Sequence, residues 1–97
     1  MPKGYIVGHV TVTNPQAYKA YATRNDEIFP KFGGRFLVRG GESQALEGDL
    51  FERHVVIEFP DYASAQAAYQ SAEYQENMKI RLANSTGAVC VVEGYEP

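Results

Sequence analysis

In two places a run of β-branched and aromatic residues stops at a helix-starting signal. Residues 4–12, "GYIVGHVTV", run into Asn14-Pro15, and residues 53–59, "RHVVIEF", run into Pro60-Asp61. Asn14 is a good N-cap, and Pro15 suits a first helical position because its missing N–H would be unpaired there anyway. Pro60 cannot continue a ladder, and Asp61 is a second cap. Each run therefore reads as a strand that hands the chain to a helix. Between them "RFLVRG" reads as another strand, and "AVCVVEG" near the end as a fourth. The order is β-α-β-β-α-β, the split βαβ or ferredoxin-like pattern. Right-handed crossovers place both helical connections on one face of a four-stranded antiparallel sheet, so the fold class is α+β.

The helices have internal detail. Tyr18, Tyr21, Ala22, Asn25 and Phe29 recur at helical spacing and form the expected buried face of the first. Pro30 ends it near Phe29, and Gly33-Gly34 form the exit. Ser71 reads as a second N-cap inside the other crossover, with Tyr74, Met78 and Leu82 as the buried stripe that follows and "NSTG" as the breaker before the last strand. Strand 2 is expected to continue past a bulge at Gly40-Gly41, with "EGDL" as the hairpin turn, because long structureless loops are uncommon in compact domains.

At 97 residues the chain is one domain, 1–97, with a limited core. Cys90 is the only cysteine, so no disulfide closes within the chain, and its apolar neighbours read it as a small core residue rather than a reactive thiol. A net charge of -3 with nine basic and twelve acidic residues argues against nucleic acid. No apolar run approaches the roughly 20 residues that cross a bilayer. The amino terminus reads as strand rather than leader, so the expected location is the cytoplasm, and the Asn84-Ser85-Thr86 sequon reads as chance.

Alternation along strands separates two faces. Ile6, Gly8, Val10, Val12, Phe36, Val38, Val55, Ile57, Phe59, Val89 and Val91 form one that is wholly apolar or glycine, expected under the helices. The other is mixed: Tyr5, Val7, His9, Thr11, Arg35, Leu37, Arg39, His54, Val56, Glu58, Ala88, Cys90 and Val92. It is too apolar for a face left to water. A second copy of the chain is the expected cover, with Tyr5, Val7, His9, Leu37, Arg39, His54, Val56 and Glu58 at a sheet-to-sheet homodimer interface.

Candidates for chemistry stand beside plainer roles. Tyr21, Asn25 and Tyr74 are expected to line a pocket between helix 1 and the sheet, since an Asn inside an apolar helical stripe is unusual. Asn25 could equally bond the Gly33-Gly34 backbone. Arg35 and Arg39 fit either an anion clamp or a cross-strand ion pair with Glu58. The longer, bulged hairpin would make Arg39 that partner. His9 suits a general base or an interface hydrogen bond. No metal site and no cofactor are expected: the chain has two histidines and one cysteine, no phosphate loop, no dinucleotide fingerprint and no nucleophile elbow.

Four stretches, "KGYIVGHVTVTNPQAYKAY", "FGGRFLVRGG", "VVIEFPDYASAQAAYQSAEYQ" and "VVEGY", resemble the domain-of-unknown-function thirteen-thirty family of the dimeric α+β barrel superfamily. The resemblance spans nearly the whole chain. It implies a ferredoxin-like protomer whose sheet packs on that of a mate. It carries no established activity and no catalytic residue. The superfamily includes cofactor-free monooxygenases, isomerases, haem enzymes and stress-linked dimers, and fold alone does not choose among them. Two functions follow as expectations: a small dimeric protein that binds or converts an aromatic or acidic metabolite, or a non-catalytic dimeric module.

Overall fold

The computed structural model describes residues 2–97. Four strands, β1 (Gly4–Val12), β2 (Arg35–Arg39), β3 (Arg53–Phe59) and β4 (Ser85–Glu93), form one antiparallel sheet in the order β2-β3-β1-β4. Helices α1 (Pro15–Ile28), α2 (Tyr62–Gln70) and α3 (Ala72–Asn84) pack on one face. This is the ferredoxin-like arrangement expected. The slab measures 37 × 34 × 17 Å, thin enough for one helical layer on one sheet and nothing on the sheet's far side.

The caps act as their sequence suggests. Asn14 Oδ1 accepts from the Ala17 amide at 3.3 Å, and Asp61 Oδ1 accepts from the Ser64 amide at 2.7 Å. The Ser64 amide also holds the Asp61 carboxyl below the usual carboxylate range. Ser71 has extended backbone (ψ 147°) and its Oγ accepts from the Tyr74 amide at 3.2 Å, so the second crossover breaks into α2 and α3, giving three helices rather than two. α1 stops at Ile28, and one 3-10 turn, Phe29–Phe32, leads to Gly33. Gly33 has φ 79°, a left-handed value that glycine adopts without steric cost. The Gly33 and Gly34 amides donate to backbone carbonyls of Pro30 and Phe29, which leaves Asn25 free for the interior.

Three sequence expectations are corrected. The bulge in β2 falls at Leu37, not at Gly40-Gly41: Phe36 pairs with Ile57 and Val38 with Val56, so Leu37 is the extra residue. One extra residue sends everything after it to the opposite face. Val38 is turned out, 42% exposed, and Arg39 is turned in toward the helices. Gly40 instead ends the strand with φ 68°, and residues 41–52 carry no regular structure, so no hairpin turns at "EGDL". At the other end "NSTG" is no breaker. Asn84 Nδ2 and Ser85 Oγ donate to the Ile80 and Arg81 carbonyls, satisfying the end of α3, and β4 begins at Ser85.

The core is Ile6, Val10, Ile57 and Phe59 from the sheet, with Tyr18, Tyr21, Ile28, Phe29, Ala65, Ala68 and Tyr74 from the helical layer. Phe29 stacks edge-on to Phe59 at 5.9 Å. Leu82, expected on the buried stripe of α3, is 60% exposed, because α3 buries Tyr74, Asn77 and Arg81 instead. No helix among the described residues is long and apolar enough to cross a membrane.

Candidate functional site

A small internal space lies between α1, α3 and the sheet. It measures about 40 Å³ for the centres of water-sized molecules, room for roughly three waters. Its floor is the helix-facing side of β1 and β3, where Gly8 supplies no side chain. Its walls are mostly apolar, but Tyr18, Tyr21, Asn25, Tyr74, Arg39, Arg53 and Arg81 also line it. No carboxylate does, among the described residues. Tyr18, Ala22 and Arg53 also border a wider groove of about 330 Å³ beside Pro15 and Lys19, so Arg53 stands between the inner space and the surface.

The polar groups form a chain. Asn77 Nδ2 donates to Asn25 Oδ1 at 3.0 Å and to the Tyr21 carbonyl at 3.1 Å. Both amides are 4% exposed. Asn25 lies one turn from Tyr21 on α1, and its amide favours the ionised form of the Tyr21 hydroxyl. The Tyr21 and Tyr74 hydroxyls share a hydrogen bond across 2.6 Å that either oxygen can donate. Arg81 completes the series, its charge favouring the ionised form of Tyr74.

Burial dominates the electrostatics. It pushes the Tyr18, Tyr21 and Tyr74 hydroxyls above the ordinary phenol value. For Tyr21 the neighbouring Tyr74 adds to the rise, whereas for Tyr74 the bond from Tyr21 and the charge of Arg81 oppose it. Burial acts against the charge of Arg81 too, but the adjoining Tyr74 and Tyr21 oxygens outweigh it and the guanidinium stays charged. Two nitrogens are left over: Nε of Arg53 and Nε of Arg81 are both buried without a hydrogen-bond partner. Arg81 is 7% exposed and makes no ion pair among the described residues.

Tyr21, Asn25 and Tyr74, the expected lining of a pocket between helix 1 and the sheet, all border this space, which α3 also walls. Arg39 joins them at the rim, which corrects its expected place on the mixed face: the Leu37 bulge turns it to Asp26 (2.6 Å), to the Ala22 carbonyl (2.8 Å) and over the Phe36 ring (3.9 Å). Arg35 and His9 lie across the sheet, outside the space. Arg53, Asn77 and Arg81 were missed. A signal for the last two existed: Tyr74, Asn77 and Arg81 repeat the i, i+3, i+7 spacing of Tyr18, Tyr21 and Asn25, and so share one face of α3.

On the far face Arg35, not Arg39, pairs with Glu58, its Nε 3.0 Å from Oε1, while the Tyr5 hydroxyl donates to Oε2 at 3.0 Å. The Tyr5 bond, then Arg35, keeps the Glu58 carboxyl below its ordinary range despite desolvation. His9 and His54 are cross-strand partners whose Nδ1 atoms stand 2.8 Å apart. Val7 lies opposite Val56, Leu37 is 48% exposed and Val92 44%.

Several solved structures share this fold. A protein of unknown function from Rhodopseudomonas palustris is 18% identical with a TM-score of 0.78, covering 99% of this chain and 85% of its own. SnoaB, a cofactor-independent oxygenase from Streptomyces nogalater, is 17% identical with a TM-score of 0.67, covering 100% and 97%. An ethyl tert-butyl ether d (ethd) family protein from Bacillus halodurans is 16% identical with a TM-score of 0.62, covering 98% and 100%. At these identities the likeness is one of fold alone, the ferredoxin-like arrangement. No curated protein matches the sequence. The family is settled by the sequence itself: residues 3–95 match the model described as domain of unknown function (DUF1330), and the chain belongs to that family.

Proposed function

We propose that the chain is a cytoplasmic homodimer that binds a small aromatic or acidic metabolite in the space between α1, α3 and the sheet. The observation that carries this reading is the chain of buried polar groups, Asn77 to Arg81, which ends at an arginine bordering an apolar-walled space. A core built only for stability has little use for two amides, two phenols and a guanidinium in contact. SnoaB lends support from outside, since a chain of this fold works there as an oxygenase without a cofactor.

The dimer rests on the uncovered sheet face, where Leu37, Val38 and Val92 are exposed beside the Tyr5-Glu58-Arg35 and His9-His54 pairs. Cys90, which its apolar neighbours suggest is a small core residue, is instead exposed on that face, where the mate would cover it. A non-catalytic dimeric module is the second reading, favoured by those same pairs, which serve register and mate orientation alone.

A thermal-shift panel of small aromatic acids and their amides at millimolar concentration tests the first reading. At least one compound is expected to raise the melting temperature, and Tyr21→Phe to weaken that response. A flat response across the panel leaves the module reading. Sedimentation equilibrium at micromolar concentration is expected to give twice the chain mass, and a mass of one chain would refute the dimer.

A further inference from the structure

Arg81 is a buried cation without an acid. It is 7% exposed, its Nε–H meets no acceptor, and no carboxylate lines the space it borders among the described residues. Burying a charge without a counter-charge is unfavourable unless something in the working state compensates it. The nearby phenols do this only in part, because burial keeps them protonated.

Three observations narrow the missing group. A guanidinium offers a planar fork of donors that matches a carboxylate. The space beside Arg81 holds about three waters, enough for one carboxyl group and little more. Arg53, whose Nε is likewise buried and unpartnered, stands where that space meets the outer groove, so the passage is basic as well. Tyr18 lies close enough to both guanidinium groups to feel their charges, which puts them at the same cavity rather than at opposite ends of the domain.

We propose that the ligand of this cavity is a small monocarboxylate, its carboxyl group bound by the Arg81 guanidinium beside the Tyr74 hydroxyl and its apolar remainder directed past Arg53 into the groove. The proposal rests on the reading of the cavity as a ligand site, and it adds the chemical class and the anchor.

The test uses ¹⁵N-labelled protein and two matched probe pairs, acetate with acetamide and benzoate with benzamide. The Arg81 Nε–H resonance is assigned by its loss in Arg81→Lys and followed in the unsubstituted protein. At least one acid is expected to move that resonance and to bind roughly ten- to a hundredfold more tightly than its amide, the range for a charge-assisted hydrogen bond. Arg81→Gln is expected to abolish the preference. An amide that binds as tightly as its acid, with cavity resonances moving in both cases, would overturn the carboxylate anchor and leave the cavity as a ligand site. No movement of any cavity resonance with any of the four probes would overturn the site and the anchor together. The comparison of acid with amide needs no variant, so it stands even where Arg81→Gln does not fold.

Discussion

Gly8 separates stability from binding. It sits in the middle of β1, a central strand, and lines the inner space from the sheet side. A Cβ placed there meets only Val89 Cγ2, at 3.7 Å, which is ordinary contact. Gly8→Ala therefore introduces no clash and removes a glycine from a strand interior, worth about 0.5–1 kcal/mol in favour of the folded state. For a chain of 97 residues that raises the melting temperature by about 2–8 °C. The same methyl projects toward a space of only about 40 Å³. A methyl carbon keeps water-sized centres at least roughly 3.3 Å away, and a sphere of that radius is larger than the whole space. Ligand binding should fall at least tenfold while the melting temperature rises. Differential scanning calorimetry measures the first quantity, and titration with whichever aromatic acid shifts the parent protein measures the second. A stabilised variant that binds its ligand as well as the parent would show that the ligand sits elsewhere, and the cavity argument would fail with it.

Three further predictions address the polar groups. Tyr21→Phe and Tyr74→Phe each leave a buried hydroxyl with one partner fewer and should cost about 1–3 kcal/mol in urea unfolding, with the double variant costing less than the sum because the two share one 2.6 Å bond. In alkali, the raised values of Tyr18, Tyr21 and Tyr74 mean that the folded chain holds protons the unfolded chain has released. Their contribution to stability is whole below the ordinary phenol value near 10, drains as pH climbs toward the higher folded values, and should appear in ultraviolet titration as a late tyrosinate step that coincides with unfolding. On the other face Tyr5→Phe removes the strongest influence holding the Glu58 carboxyl down, so its titration by carbon NMR should move up toward the ordinary glutamate range; an unmoved titration would mean Arg35 alone sets it.

The fold was legible because its signals are local. Asn14-Pro15, Pro60-Asp61 and Ser71 each satisfy helix-end amides through a side chain a few residues away, so sequence spacing alone locates them. Half of the site was legible for a related reason. Tyr21 and Asn25 interrupt an apolar stripe, and a polar residue on a buried face is conspicuous. The other half was not, because Asn77 and Arg81 occupy positions where apolar periodicity favours Met78 and Leu82. A rule that counts hydrophobic residues rotates α3 by about one residue and turns the guanidinium to solvent. Only the partner helix corrects this, since Asn25 and Tyr21 supply the acceptors that make a buried Asn77 affordable. The β2 register was hidden for a different cause. A bulge needs no glycine when the extra residue is at an edge strand, and Leu37 carries no mark of its role.

That extra residue determines which arginine of β2 reaches the inner space. Without it, Arg35 and Arg39 would share the open face and compete for Glu58. With it, Arg35 takes Glu58 and Arg39 crosses to the helical side, where Asp26 and the Ala22 carbonyl engage its guanidinium. Ala22 borders both the inner space and the outer groove, so the Arg39 bond ties α1 to the sheet edge at the boundary between them. Each arginine of β2 is thus neutralised by a carboxylate of its own, one on either side of the sheet. Among the described residues Arg81 has no such partner, at less than a tenth of its surface exposed. A stretch whose arginines fit either an anion clamp or an ion pair in sequence is occupied with holding strands and helix in register, and the unmet charge lies deeper, on α3, behind the two tyrosines.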